Sequence, residues 1–470
     1  DNPENRIGGV HRSKRWPGTG VRYVGDNVFY ANLKAAYPVI DRGEGIYLWD
    51  TTGKRYIDGC SGALVANIGH GVEEVADAIY RQVRRVAFAH RSQFTSEPLI
   101  RLAELIVRMA PPGLRWVNFV SGGSEATETA MKMAREYHIE KGKPTKYKVI
   151  ARWQSYHGNS IGALSMSGHV ARRRRYAPML TDCPHAAPAY CYRCQFGLNP
   201  GCCGLECASD VERAIVNEGP QNVSAVIVEP VVGSALGAVV APEGYMKALR
   251  EICDRYEVLL IADEVMTGFG RTGANFAVDH WGVTPDMIVC AKGASGGYAP
   301  LGAVIASDEV HRVFREGSGK FAHGFTYGGN PVAAAAGVAV LEYIRKNDLV
   351  REARDRGLCL MSGLQRIAAS SGIIGDVRGL GLMTGIEFVA DRETREPFPH
   401  EMGITEMVRS TAFAEGLILY PAGGCADGVR GDAVMIAPPL VVNDAQIDEM
   451  LAILEHVVHE VERRVRRRSE

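Results

Sequence analysis

The chain has 470 residues, 46% of them hydrophobic and 23% charged, with a formal net charge of −1. That near-neutral balance excludes a broad electrostatic pull on nucleic acid or an anionic membrane, and the length exceeds what one hydrophobic core supports, so two or more lobes are expected. No stretch approaches the ~18 uninterrupted apolar residues of a membrane span, and the start at Asp1 lacks the apolar core of a signal peptide, so a cytoplasmic protein is expected.

Residues 1–30 are polar and read as an arm. Apolar-rich segments 45–50 and 54–58 flank a Thr-Thr-Gly turn, which predicts a hairpin. From residue 73 the pattern alternates. Helices are predicted over 74–86, 99–109 and 125–138, and strands over 116–120, 147–152, 223–228, 258–262 and 287–291. This alternation predicts an α/β sheet, mostly parallel and covered on both faces. After Pro331 a long helix (331–345) and further helix precede strands near 385–388 and 433–436. Apolar residues at 447, 450, 451, 454, 457, 458, 461 and 465 predict an amphipathic helix over 443–466, capped by Asn443 or Asp444. The expected organisation is an arm (1–30), a first part of a small domain (31–72), a large domain (73–330) and the rest of a small α+β domain (331–470). The arginine runs at 172–175 and 463–468 read as solvated surface and a helix tail.

Five of the eleven cysteines crowd into one segment, at 191, 194, 202, 203 and 207. In a cytosolic chain such clustering suggests metal before disulfide. Cys191, Cys194, Cys202 and Cys207 are then candidate ligands of a structural zinc, with packed reduced thiols as the other reading. If the cysteines organise the molecule, it is a metal-binding interaction protein and not an enzyme.

A different chemistry gathers at the predicted strand ends. Lys292 leaves one apolar run and Asp263 another, and neither residue type is commonly buried alone. Ser121-Gly122-Gly123-Ser124-Glu125 joins a strand to a helix whose N-terminus offers unpaired N–H groups and a positive dipole, a cradle for phosphate with Ser124 as the cap. Tyr156 and Glu229 end two more strands. In open α/β sheets ligands bind at the carboxyl ends of strands. An amine and a carboxylate there suit pyridoxal phosphate (PLP), which needs a Schiff-base lysine and an acid on its ring nitrogen.

These residues extend into longer motifs. Asp263-Glu264-Val265-Met266-Thr267-Gly268-Phe269-Gly270-Arg271-Thr272-Gly273 with Lys292 downstream, Ser121-Gly122-Gly123-Ser124-Glu125-Ala126, Tyr156-His157-Gly158, Val228-Glu229-Pro230, His323-Gly324-Phe325-Thr326-Tyr327-Gly328-Gly329-Asn330-Pro331 and Ala437-Pro438-Pro439 together resemble the class III (ω-) aminotransferases. The resemblance implies the PLP-dependent transferase fold type I, α/β, with a mostly parallel sheet in the large domain. It implies Lys292 as the Schiff-base lysine, Asp263 on the pyridine nitrogen, Val265 and Tyr156 against the two ring faces, and Gly123 and Ser124 on the phosphate. Thr326 would reach the phosphate of a neighbouring subunit, so a homodimer or higher homo-oligomer with shared sites is implied. Glu229 would lie near the ring's phenolic oxygen, and His157 would act more structurally.

On the substrate side the resemblance implies Arg430 as a carboxylate-binding arginine, with Ala63, Leu64, Tyr156 and Ser234 lining the pocket and Phe88, His90 and Phe94 contributed by a partner. The expected reaction transfers an amino group from an ω-amino acid or amine to an oxo acid, pyruvate first, by ping-pong kinetics. Decarboxylase and aminomutase outcomes share the fold. The insertion at 183–207 is less widespread in the family.

Overall fold

The computed structural model describes residues 27–469, so residues 1–26 of the expected arm lie outside the described residues. Three short strands, β1 (Ile40–Glu44), β2 (Tyr47–Asp50) and β3 (Arg55–Ile57), form an antiparallel sheet, with the expected Thr-Thr-Gly turn between β2 and β3. Seven strands form the central sheet: β4 (Leu114–Val120), β5 (Lys148–Arg152), β6 (His185–Ala186), β7 (Val223–Val228) and, beyond the small hairpin β8 (Val231–Val232) and β9 (Val239–Val240), β10 (Leu259–Asp263), β11 (Met287–Cys290) and β12 (Gly302–Ser307). Their order is β4-β12-β11-β10-β7-β5-β6. All share one direction except β12, which is antiparallel to both β11 and β4.

Apart from Ser224 in β7 and the terminal Asp263 of β10, the middle strands β7, β10 and β11 are apolar throughout because both faces are covered. Ala225, Ile227, Leu259, Ile261, Met287 and Val289 point into one core, shared with Ala126, Ala130 and Ala134 of the Gly123–Glu140 helix. The intervening Val226, Val228, Leu260, Ala262, Ile288 and Cys290 point into another, with Leu249 and Ile252 of the Tyr245–Arg255 helix. The period-two alternation of a strand thus feeds two cores at once. Alanines on the first helix let it lie close to the sheet, which sets its N-terminus over the strand ends.

The C-terminal third builds a second antiparallel sheet, β13 (Ile374–Leu380), β14 (Met383–Phe388), β15 (Tyr420–Gly423) and β16 (Asp432–Ile436), in the order β13-β14-β16-β15. The N-terminal sheet joins this region: Ile57 N donates to Gly416 O at 2.7 Å, Ile418 N to Ile57 O at 3.0 Å, and Tyr47 Oη to Glu449 Oε2 at 3.0 Å. The last helix runs Asp444–Ser469, and Asn443 and Gln446 cap it reciprocally, each side chain accepting from the other's backbone N–H.

Two expectations need correction. Ser124 is not the cap of its helix, which starts at Gly123 with Gly122 before it. Strand β12 was not anticipated. It follows β11 without a crossover helix, which only an antiparallel neighbour allows. Among the described residues no helix is long and apolar enough to cross a membrane.

Candidate active site

Lys292 stands just past β11, half-buried, at a φ of 46°. A left-handed lysine stores strain that its surroundings must impose, as often happens at functional sites. Burial pulls its ammonium down to about 8, against the carboxylates of Asp263 and Glu229, which hold it up; Arg271 and Arg172 push it further down.

Asp263 is the last residue of β10 and is buried. Its Oδ2 lies 2.7 Å from His157 Nδ1, and its Oδ1 accepts from Val265 N at 3.1 Å. A carboxylate facing Nδ1 makes that nitrogen the protonated one. His157 is held in turn by its own N–H, which donates to Ser167 Oγ at 2.8 Å. Glu229 follows β7. Its Oε1 accepts from Tyr156 N at 2.8 Å and its Oε2 from Gly233 N at 3.0 Å, while burial raises its pKa. Two carboxylates, each bonded on both oxygens, therefore flank a lysine that is easily deprotonated.

Beside them lies a cradle. Ser124, in the first turn of the Gly123–Glu140 helix, accepts from Asn159 N at 3.0 Å. Gly158 has a φ of 133°, and a Cβ there would stand 2.5 Å from Ser124 Oγ. A Cβ on Gly123 would meet Val265 at 3.0 Å. The chain thus presents bare backbone and a helix N-terminus next to Val265, which suits an anion attached to a flat ring.

The profile of the family Aminotransferase class-III matches residues 29–458. The chain belongs to the class III aminotransferases. Among its relatives is YodT of Bacillus subtilis (strain 168), named as an uncharacterized aminotransferase, 42% identical over 93% of this chain and 98% of its own. Putrescine–pyruvate aminotransferase of Pseudomonas aeruginosa is 35% identical over 88% and 89% of the two chains. A transaminase from the marine bacterium Virgibacillus superposes with a TM-score of 0.87 at 36% identity, covering 92% of this chain and 95% of its own. The fold is that of the PLP-dependent transferases, type I, and the activity is PLP-dependent amino transfer.

The residues of this class III aminotransferase fit the cofactor: an anion cradle that a Cβ would fill, an apolar Val265 beside it, a buried carboxylate and an amine of lowered pKa. The pocket residues expected from the sequence sit in a tightly turned segment. Ser61 and Leu64 have φ values of 52° and 59°, Ala63 is half-buried, and Leu64 packs in one apolar cluster with Met266. Ser61 Oγ donates to Ala437 O at 2.8 Å and accepts from Arg271 Nη2 at 3.1 Å. Arg271, fully buried, also donates to Leu382 O at 3.1 Å and Pro438 O at 2.5 Å. Ser234 is buried next to Gly233, and its Oγ has no hydrogen-bond partner among the described residues.

Other expected residues lie elsewhere. Thr326, Tyr327, Phe88, His90 and Phe94 are all exposed on the single chain, with the Phe88 and Tyr327 rings 5.9 Å apart. Arg430 is exposed and committed, its Nε to Asp427 at 2.8 Å and its Nη1 to Glu396 at 3.1 Å. Sequence reasoning missed Arg172, which belonged to a run read as solvated surface. Its guanidinium carbon stands 4.8 Å from the centre of the Tyr156 ring.

The zinc expectation for Cys191, Cys194, Cys202 and Cys207 is corrected. Among the described residues no group of three or more histidine, cysteine or acidic side chains is placed to hold a metal ion, and all eleven cysteines are free. Cys202 is exposed while Cys191, Cys194, Cys203 and Cys207 line a small apolar cavity. Burial raises the thiols of Cys191 and Cys207, the latter to about 11. The segment is instead tied to β14: Tyr190 Oη and Arg193 both donate to the buried Glu387 carboxylate, which Arg378 also contacts. With the family shown, the reading as a metal-binding interaction protein falls.

Proposed function

We propose that this enzyme moves an amino group from an amine or ω-amino acid to an oxo acid, pyruvate first, with donor and acceptor using the same site in turn. The observation that carries the reading is Lys292, strained and easily deprotonated, beside the bonded carboxylates of Asp263 and Glu229. The relative named for putrescine and pyruvate supports the choice of acceptor.

When bound, pyridoxal phosphate supplies an electron-accepting ring that lets the substrate Cα–H bond break. Lys292 would hold the cofactor covalently and would take and return the proton at the substrate Cα, a task for an amine with a pKa near working pH. Asp263 would keep the ring nitrogen protonated, and His157 fixes the carboxylate's orientation. Val265 and Tyr156 would confine the ring faces, and Glu229 would serve the phenolic oxygen. Gly123, Ser124 and Thr326 of the partner subunit hold the phosphate. Ala63, Leu64 and Ser234 line the substrate pocket; Arg430, spent on Asp427 and Glu396, is left out of it.

The exposure of Thr326, Tyr327, Phe88 and Phe94 supports a homodimer whose sites are completed across the interface. The hydrogen bonds of Ile57 to Gly416 and Ile418 support a small domain made of 31–72 with 331–470, around a large domain of 73–330. The cytoplasm suits eleven unpaired cysteines. Borohydride trapping followed by peptide mapping is expected to place the cofactor on Lys292, and initial rates with pyruvate are expected to give parallel double-reciprocal lines. An adduct elsewhere, or intersecting lines, would overturn the proposal. Hybrids of Lys292→Ala and Thr326→Ala subunits test the shared site through their activity.

A further inference from the structure

The arginine run at 172–175 is not uniform. Arg173 is bound to its own neighbourhood, Nη1 donating to Leu164 O at 2.9 Å, Ser165 O at 2.6 Å and Ser167 O at 2.7 Å. Those three bonds anchor the short Val170–Arg173 helix beside the strand-end loop that carries Tyr156 and His157. The helix is also held from outside, since a Cβ on Gly428 would strike Val170 at 2.5 Å. Arg172, next along this anchored turn, lies over Tyr156 with its guanidinium carbon 4.8 Å from the ring centre. No hydrogen bond or ion pair engages its guanidinium among the described residues, whereas the guanidinium groups of Arg193, Arg271, Arg378 and Arg430 are each bonded to carboxylates or carbonyls.

Its charge is felt inside the site, at Lys292 and at Tyr420, for which Arg172 is the leading charge, ahead of Tyr156 and Glu229. Tyr156 joins the two ends of this space, its ring 4.8 Å from the Arg172 guanidinium carbon and its backbone N–H 2.8 Å from Glu229 Oε1. The two carboxylates in that space cannot satisfy Arg172. Asp263 is bonded to His157 and Val265, and Glu229 to Tyr156 and Gly233. A guanidinium stacked on an aromatic face, with its edge donors uncommitted, is arranged to grip a planar anion in bidentate fashion.

We infer that Arg172 is the specificity-determining residue that binds the distal carboxylate of an ω-amino acid donor whose amino end reaches Lys292. The inference rests on the amino-donor reading above. Tyr156 then has two duties: its backbone N–H orients Glu229 and its ring carries the cation that selects the substrate. An amine without a carboxylate would use the same pocket and leave Arg172 in solvent.

The test uses holoenzyme and follows the donor half-reaction alone by the change in cofactor absorbance, with 4-aminobutyrate against its uncharged counterpart n-butylamine. Calorimetry with butyrate, which has no amine to react, gives a binding readout independent of turnover. In Arg172→Met the half-reaction with 4-aminobutyrate is expected to slow roughly 10- to 100-fold in kcat/KM, and butyrate affinity to fall by a similar factor. The rate with n-butylamine should stay within about threefold, Arg172→Lys should recover part of the loss, and Arg430→Ala should change neither donor. Equal losses for both donors would make Arg172 a support for Tyr156 and overturn the assignment. Unchanged 4-aminobutyrate and butyrate in Arg172→Met, or a loss appearing only in Arg430→Ala, would overturn it too. Failure of the unaltered enzyme with every amine would sink the donor reading itself, while butyrate binding would still report on Arg172.

Discussion

The strand ends of the central sheet and the segment at 183–207 make opposite use of reactive side chains. Lys292, Asp263, Glu229, His157 and Ser124 are scattered along the chain, yet parallel strands that stop at one edge bring them together. The cysteines are neighbours in sequence, and no three of them meet around a metal position. Proximity in sequence becomes proximity in space only where backbone geometry compels it. A parallel sheet supplies that compulsion at its carboxyl edge, and an irregular insertion anchored through Tyr190 and Arg193 does not.

The sharpest way to break this contrast is Lys292→Ala. Amino transfer should fall by at least ~10⁴-fold, with no borohydride-trapped adduct at 292. Retained turnover would remove the centre of the site. Next, Asp263→Asn should lower the rate of Cα proton removal by ~10²–10³-fold while cofactor still binds, checked by single-turnover rates and equilibrium dialysis. A smaller effect is expected from pH. Below about 8 the Lys292 amine carries a proton and cannot attack an aldehyde; above it the free amine prevails. The rate at which apoprotein takes up pyridoxal phosphate should therefore rise about tenfold per pH unit below that value and level off above it. Gly158→Ala, which sets a methyl against Ser124 Oγ in a left-handed turn, should weaken cofactor affinity by ~10-fold without touching the lysine. The smallest effect belongs to the other region. Serine at 191, 194, 202 and 207 together should leave activity within a few-fold and metal content at background; stoichiometric zinc in the unaltered protein would reverse the contrast.

Much of this was legible in the residues. Strand β7 coincides with its prediction because its three valines and one isoleucine, interrupted only by the small Ser224 and Ala225, suit a strand buried on both faces. Lys292, Asp263 and Glu229 were readable as polar residues placed where apolar runs stop. What could not be read has a physical cause in each case. The Gly302–Ser307 strand is short and follows a glycine-rich turn, so only its partners β4 and β11 define it. Arg172 looked like one of four equivalent arginines, and only the anchoring of Arg173 by three carbonyls turns it toward Tyr156. Arg430 stood close in sequence to a strand of the second sheet, but Asp427, three residues earlier, had the shorter reach. The cysteines advertised a metal through spacing alone, while in space Cys202 faces solvent and Cys191, Cys194 and Cys207 line a small apolar cavity.

The three-way grip of Arg271 has a practical corollary. By fastening Ser61, Leu382 and Pro438 to the loop beyond Asp263, it sets the path of the backbone around Ala63 and Leu64 without help from either side chain. In the proposed pocket, half-buried Ala63 can therefore be enlarged to change which amines enter while the wall that carries it stays put, whereas Leu64 is tied to Met266 in the core and is the costlier position to trim.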